Sequence, residues 1–235
     1  MHDGWQLKLR CNVTCHYNDC LTFGDTELIL SPMWASVPIE YAVTVQEGIN
    51  DFRLVRCGGK TLNWVRFNEE HFRCFHFLHA AIRRSAAAHI VVVTHHLPSF
   101  ELLPPEFLGS PLNGAFVTDL HGFIEASPVE YWIYGHSHRN IDRMIGRTQC
   151  LSNQLGYIRS GEHRTFDPAK SIMPCAGTTK RERQPIGLPL SFYTLSFSDC
   201  CESDVSPEVS MRMASRSVGC GWCPCPSVSC CGASP

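Results

Sequence analysis

Two short runs constrain this chain more than anything else in it. Ile90 to Val93 is an unbroken β-branched stretch, and Tyr131 to Tyr134 an unbroken aromatic and aliphatic one. A strand with one wet face alternates apolar and polar residues. An unbroken run of this length bounded by turn residues is instead a strand covered on both faces. Such strands belong to mostly parallel sheets with a layer on each side. Between the two runs, Phe116, Leu120, Phe123 and Ile124 recur at helical spacing, which predicts a helix from Phe116 to Ala126 stopped by Pro128. Gln149 to Ser152 is predicted as a third strand. Strand, helix, strand makes the fold class α/β.

The flanks add detail. In CLTFGDTELILS, Cys20 to Ser31, two apolar runs flank Gly24-Asp25, the pattern of a hairpin with a tight turn. Residues 33 to 66 show no clean period and read as loop with short strands; residues 101 to 114, with Pro104, Pro105, Pro111 and Gly114, read as loop. Asn68 is a candidate N-cap with Glu69 and Glu70 in the first turn, and Phe72, Phe75, Leu78 and Ile82 then mark an inward helix face ending near Arg83 and Arg84.

Composition sets limits on partners and place. A formal net charge of −2 makes no field that would recruit nucleic acid or an anionic membrane. The first residues lack the apolar stretch of a signal peptide, and no run approaches the ~20 apolar residues of a membrane span. The expectation is a cytoplasmic protein. Of 14 cysteines, eight follow Pro174 and six are spread over the first 150 residues, where they read as reduced thiols. Residues 1–170 are expected to form one domain. Residues 171–235 form a Cys/Ser/Pro-rich tail without period, expected to be disordered apart from a possible strand in SFYTLSF. Within it Cys220, Cys223, Cys225, Cys230 and Cys231 either form a thiolate zinc cluster or belong to an extension without structure.

In open α/β sheets, sites gather at the carboxyl ends of the strands. His95-His96 follow the first buried run, and His136 and His138 follow the second. Neutral imidazole is a ligand for several divalent ions. In extended chain, residues i and i+2 face the same side, roughly 6.5 Å apart. His136 and His138 could then share one ion or serve two ions about 3.5–4 Å apart. Ser137 would face away, and Gly135 would supply the sharp turn. His96 would point opposite to His95, as a rim histidine or a substrate contact.

VVVTHHLPS followed by YWIYGHSHRN resembles the last two motifs of the calcineurin-like metallophosphoesterases, a histidine after an apolar strand and then Gly-His-x-His. TQCLSNQLGY resembles the strand and turn that follow them, and the likeness covers residues 11 to 170. It implies a four-layer α/β/β/α sandwich, two divalent metal ions (Mn, Fe or Zn) and hydrolysis of a phosphate ester. By motif, His95 and His136 would bind one metal and His138 the other. Asn153 lies near the implied site and takes no role.

The family's earlier motifs, Asp-x-His, Gly-Asp-x-x-Asp and Gly-Asn-His, do not occur, and Gly24-Asp25 sits in the hairpin turn. The resemblance therefore describes an N-terminally incomplete domain. Two dications about 3.7 Å apart repel by roughly 4.5 kcal/mol even at the dielectric of water. Three neutral imidazoles bring no charge to offset that. One ion or none is expected in this chain, with phosphoesterase activity impaired. The other readings are a non-catalytic remnant that binds a single metal ion or a phosphate ligand, and a zinc-binding protein centred on the Cys-rich tail.

Overall fold

The computed structural model describes residues 2–172 and the backbone of Leu188–Pro189. The chain opens with a hairpin of β1 (Trp5–Arg10) and β2 (Val13–Tyr17), followed by β3 (Asp19–Phe23) and β4 (Thr26–Leu30). Two short helices, α1 (Ala42–Gly48) and α2 (Asp51–Leu54), and a small hairpin, β5 (Arg56–Cys57) and β6 (Lys60–Thr61), precede the long helix α3 (Trp64–Arg84). Then come β7 (His89–Val93), α4 (His121–Glu125), β8 (Tyr131–Tyr134), β9 (Arg143–Ile145) and β10 (Thr148–Ser152). β11 (Ser171–Ile172) pairs with β12 (Leu188–Pro189).

Six strands form one mixed sheet in the order β3-β4-β7-β8-β10-β9. β4, β7, β8 and β10 are parallel neighbours, and β3 and β9 close the two edges antiparallel. The protein is thus α/β, with the hairpin at Gly24-Asp25 and the strands at residues 90, 131 and 149 where the sequence predicts them. The parallel crossovers all step the same way across the sheet. Right-handed crossovers in one direction put their helices on one face. Phe67, Leu78 and Ile82 of α3 and Ile124 of α4 accordingly share a core with Ile29, Val92, Trp132 and Cys150. The alternate residues Leu28, Val91, Val93, Ile133 and Leu151 make a second apolar layer, on which Ile172 packs. That second layer explains why the strands do not alternate with polar residues.

Several expectations fail for local reasons. α3 starts at Trp64, because the Asn63 side chain caps it by accepting the Arg66 N–H at 2.9 Å. Asn68 lies inside the helix and exchanges two hydrogen bonds with the backbone of Val37. The buried stripe is Phe67, His71, Cys74, Leu78, Ala81 and Ile82, while Phe72 is 57% exposed. The helix predicted from Phe116 shrinks to His121–Glu125. Phe116 and Thr118 spend their backbone groups on Leu97, with Leu97 N–H donating to Phe116 O and Thr118 N–H to Leu97 O. Residues 33–66 hold α1, α2, a 3-10 turn at Ile39–Tyr41 and the start of α3 besides the small hairpin. The six cysteines of the described residues are free thiols. SFYTLSF and the cysteines from Cys175 onward lie outside the described residues. Among the described residues, no helix is long and apolar enough to cross a membrane.

Candidate metal centre

The four parallel strands end at one edge, and their exit segments are tied together by backbone hydrogen bonds. Past β4, the Pro32 carbonyl accepts the His95 N–H at 3.1 Å; past β7, the His95 carbonyl accepts the Gly135 N–H at 3.0 Å. Three strand ends are thereby fixed relative to one another. Over them opens a cavity of about 590 Å³, with His95, His96, His136 and His138 in its wall.

His95 and His136 meet there, with His95 Nε2 2.9 Å from His136 Nδ1. The Ala115 carbonyl accepts a hydrogen bond from the His136 ring, and Phe116 packs on its face with centroids 4.8 Å apart. His95 Nδ1 has no hydrogen-bond partner among the described residues. His96 joins them: the ligand nitrogens of His95, His96 and His136 lie within 4.8 Å of one another. His96 is no rim residue, being 5% exposed and wedged against Trp34 and Phe67. Its Nδ1 lies 3.0 Å from the Ala35 N–H and 3.3 Å from the Met33 carbonyl; the shorter contact, whose donor is fixed, makes Nδ1 the acceptor. Neutral His96 in that tautomer carries its proton on Nε2, and so offers the site a donor rather than a lone pair.

Burial holds all three imidazoles neutral. Desolvation pushes His95 down to about 4, helped by the charge of His138, and pushes His96 and His136 well below the usual imidazole range. Neutral imidazole is the ligand form. The unpaired His95 Nδ1 alone costs about 1–3 kcal/mol, which makes this desolvated group of three a candidate functional site.

The Gly-His-Ser-His turn differs from the extended form expected. His136 and His138 have φ of 70° and 53°, in the left-handed region, whereas Gly135 does not. Such a backbone costs roughly 1–2 kcal/mol per non-glycine residue. The two side chains consequently do not lie side by side. His138 stands outside the group of three, with Nδ1 3.0 Å from Glu162 Oε2 and the edge of Tyr157 against its ring. Ser137 does not turn away either: it lines the cavity and accepts a hydrogen bond from Gln154 Nε2 at 3.1 Å. Asn153, though in the cavity wall, is used structurally, exchanging two hydrogen bonds with the backbone of Asp167. Gln154 and Glu162 are contacts that the sequence does not announce. Neither has a motif spacing, and both depend on how the chain folds back after β10.

No family model matches the chain, and no solved structure matches it. The chain is 25% identical over 178 residues to the uncharacterized protein L509 of Acanthamoeba polyphaga mimivirus, a match that covers 69% of this chain and 62% of that protein. The chain therefore spans less than two thirds of the length of this relative.

Proposed function

We propose that this chain carries the histidine half of a metal-dependent phosphoesterase centre. The observation that carries the reading is the meeting of His95 Nε2 and His136 Nδ1 at 2.9 Å, at the ends of adjacent parallel strands, with His138 on the same cavity. That separation is close to the ~3.0–3.4 Å expected of two nitrogens each about 2.0–2.1 Å from one ion. Donating its ring N–H to the Ala115 carbonyl leaves His136 a lone pair toward His95, and desolvation keeps both rings neutral. An ion held there would lower the pKa of bound water and stabilise charge on phosphoryl oxygens. His96 offers its Nε2–H as a neutral donor. The cavity wall contains no lysine or arginine among the described residues, and two carboxylates, Asp51 and Glu162. A phosphate ester would thus depend on the metal for its charge balance. Four-layer α/β/β/α packing belongs to this reading, in which the apolar face of Leu28, Val91, Val93, Ile133 and Leu151 is the one that would take a second sheet. So do a cytoplasmic location and ions of the Mn, Fe or Zn type.

A second reading has its own support. The group of three histidines includes no carboxylate, so charge repulsion favours a single ion, and a centre that binds one metal or phosphate without turnover. Calorimetric titration with Mn²⁺, followed by assay on bis(4-nitrophenyl) phosphate, separates the two. The expected result is one Mn²⁺ per chain, lost in His136→Ala, with cleavage above the metal-only blank. Binding without cleavage supports the second reading. Absence of any bound ion at millimolar Mn²⁺ overturns the first reading and the metal-binding form of the second.

A further inference from the structure

After β10 the chain folds back over the cavity, and its contacts converge on one ring. Gln154 Oε1 accepts the backbone N–H of His138 at 2.8 Å, and Gln154 Nε2 donates to Ser137 Oγ and to the Arg139 carbonyl. The left-handed His138 backbone is thereby clamped. Glu162 Oε2 lies 3.0 Å from His138 Nδ1, and the same oxygen accepts the Tyr157 N–H. Tyr157 stands edge-on to the imidazole with centroids 4.6 Å apart. Gly156 makes the approach possible. It has φ +59°, and a Cβ there would sit 2.6 Å from both Cβ and Oε2 of Glu162. The loop is shaped around the contact between the carboxylate and the imidazole.

We propose that Glu162 is the positioning residue of His138. A carboxylate accepts, so the proton in this bond sits on His138 Nδ1, and Nε2 keeps its lone pair on the cavity side. Histidines that hold metals commonly give their other N–H to a carboxylate, which fixes the tautomer and the ring and strengthens the ligand. His89 and His16 also face carboxylates, Glu130 and Asp19, but neither lies in the cavity wall. The use made of the Nε2 lone pair rests on the metal reading above; the assignment of the proton does not.

The test is the tautomer of His138 in the metal-free protein, read from long-range ¹⁵N–¹H correlations of the imidazoles at pH 8.5, with His138→Ala identifying the signal. The expected state is Nδ1–H in the wild type and predominantly Nε2–H in Glu162→Ala, the form that free imidazole side chains favour. An Nε2–H wild type overturns the proposal without any variant. So does an Nδ1–H ring that persists in a folded Glu162→Ala. Should Glu162→Ala not fold, Glu162→Gln keeps the shape and an acceptor oxygen but loses the charge. It is expected to retain Nδ1–H while Mn²⁺ affinity falls roughly 10- to 100-fold; an Nε2–H ring in it counts against the proposal. Mn²⁺ titration of the wild type reports separately on the metal reading, so that failure of one is distinguishable from failure of the other.

Discussion

Trp132 donates its indole N–H to the hydroxyl of Thr94 at 3.1 Å, and that hydroxyl donates in turn to the carbonyl of His96 at 3.2 Å. Both residues are fully buried. The relay pins the turn bearing two of the three clustered histidines to the centre of the neighbouring strand. Thr94→Val keeps the shape and removes both bonds, leaving a buried indole N–H unpaired. Urea unfolding is expected to show a loss of about 1–3 kcal/mol. A Thr94→Ser variant, which keeps the hydroxyl, is expected to lose less.

The left-handed backbone at His138 predicts an ordering of two variants. His138→Ala and His138→Gly both delete the ring, and glycine alone is at ease at φ 53°. The glycine variant is expected to be more stable than the alanine variant by about 1 kcal/mol, despite its larger entropy when unfolded. Equal stability would mean that the turn relaxes out of the left-handed region once the ring is gone.

Gly156 and Gly161 form a second controlled pair. Both have positive φ, at +59° and +74°, but a Cβ at Gly161 finds its nearest neighbour at 3.5 Å, against 2.6 Å at Gly156. Gly161→Ala carries the backbone strain alone. Gly156→Ala adds a collision with Glu162, and is expected to be the more destabilised of the two and to weaken Mn²⁺ binding, as is expected of Glu162→Gln. Thermal melts and a calorimetric titration of both variants check this.

Acid is expected to weaken the metal-free protein. The unfolded chain takes up protons on its histidines below about pH 6.5, while His95 folded does so only near about 4, and burial holds His96 and His136 well below the usual imidazole range. In that interval the unfolded state binds more protons, so stability is full above pH 7 and declines as the pH falls. Each histidine contributes up to about 1.4 kcal/mol per pH unit. Burial lowers His71 as well and adds to the trend, whereas it raises the Asp51 carboxyl, which opposes it. Urea midpoints at pH 7.5 and 5.5 measure the difference, and equal midpoints would mean that the buried rings are hydrated.

The parallel strands were legible because residues 90–93 and 131–134 are apolar without interruption, a signal that needs no tertiary knowledge. The β1–β2 hairpin carried a readable signal too, with Trp5, Leu7 and Leu9 alternating before a turn at Cys11-Asn12. Elsewhere distant partners overrode local pattern. Asn68, followed by two glutamates, looks like a cap, but its side chain serves Val37 in a segment far back in the chain. Phe116 has helical spacing, but Leu97 takes its backbone. At the site, the histidine positions could be read and their geometry could not. The motif fixes spacing, whereas the left-handed turn is held by Gln154 and the His138 ring contacted by Glu162, side chains that arrive by folding from residues 16 to 24 positions later.

The strand order β3-β4-β7-β8-β10 repeats the order of the chain, with β9 arriving by a hairpin with β10. Each parallel strand therefore pairs with one already synthesised, and the sheet can extend at one growing edge as the polypeptide emerges. His95 and His96 take their places against Pro32 and Ala35 first, His136 follows with β8, and the clamp on His138 closes last. The growing edge stays open until β9 and β10 arrive, so the chain is most exposed to pairing with a second copy of itself in the interval between β8 and β10.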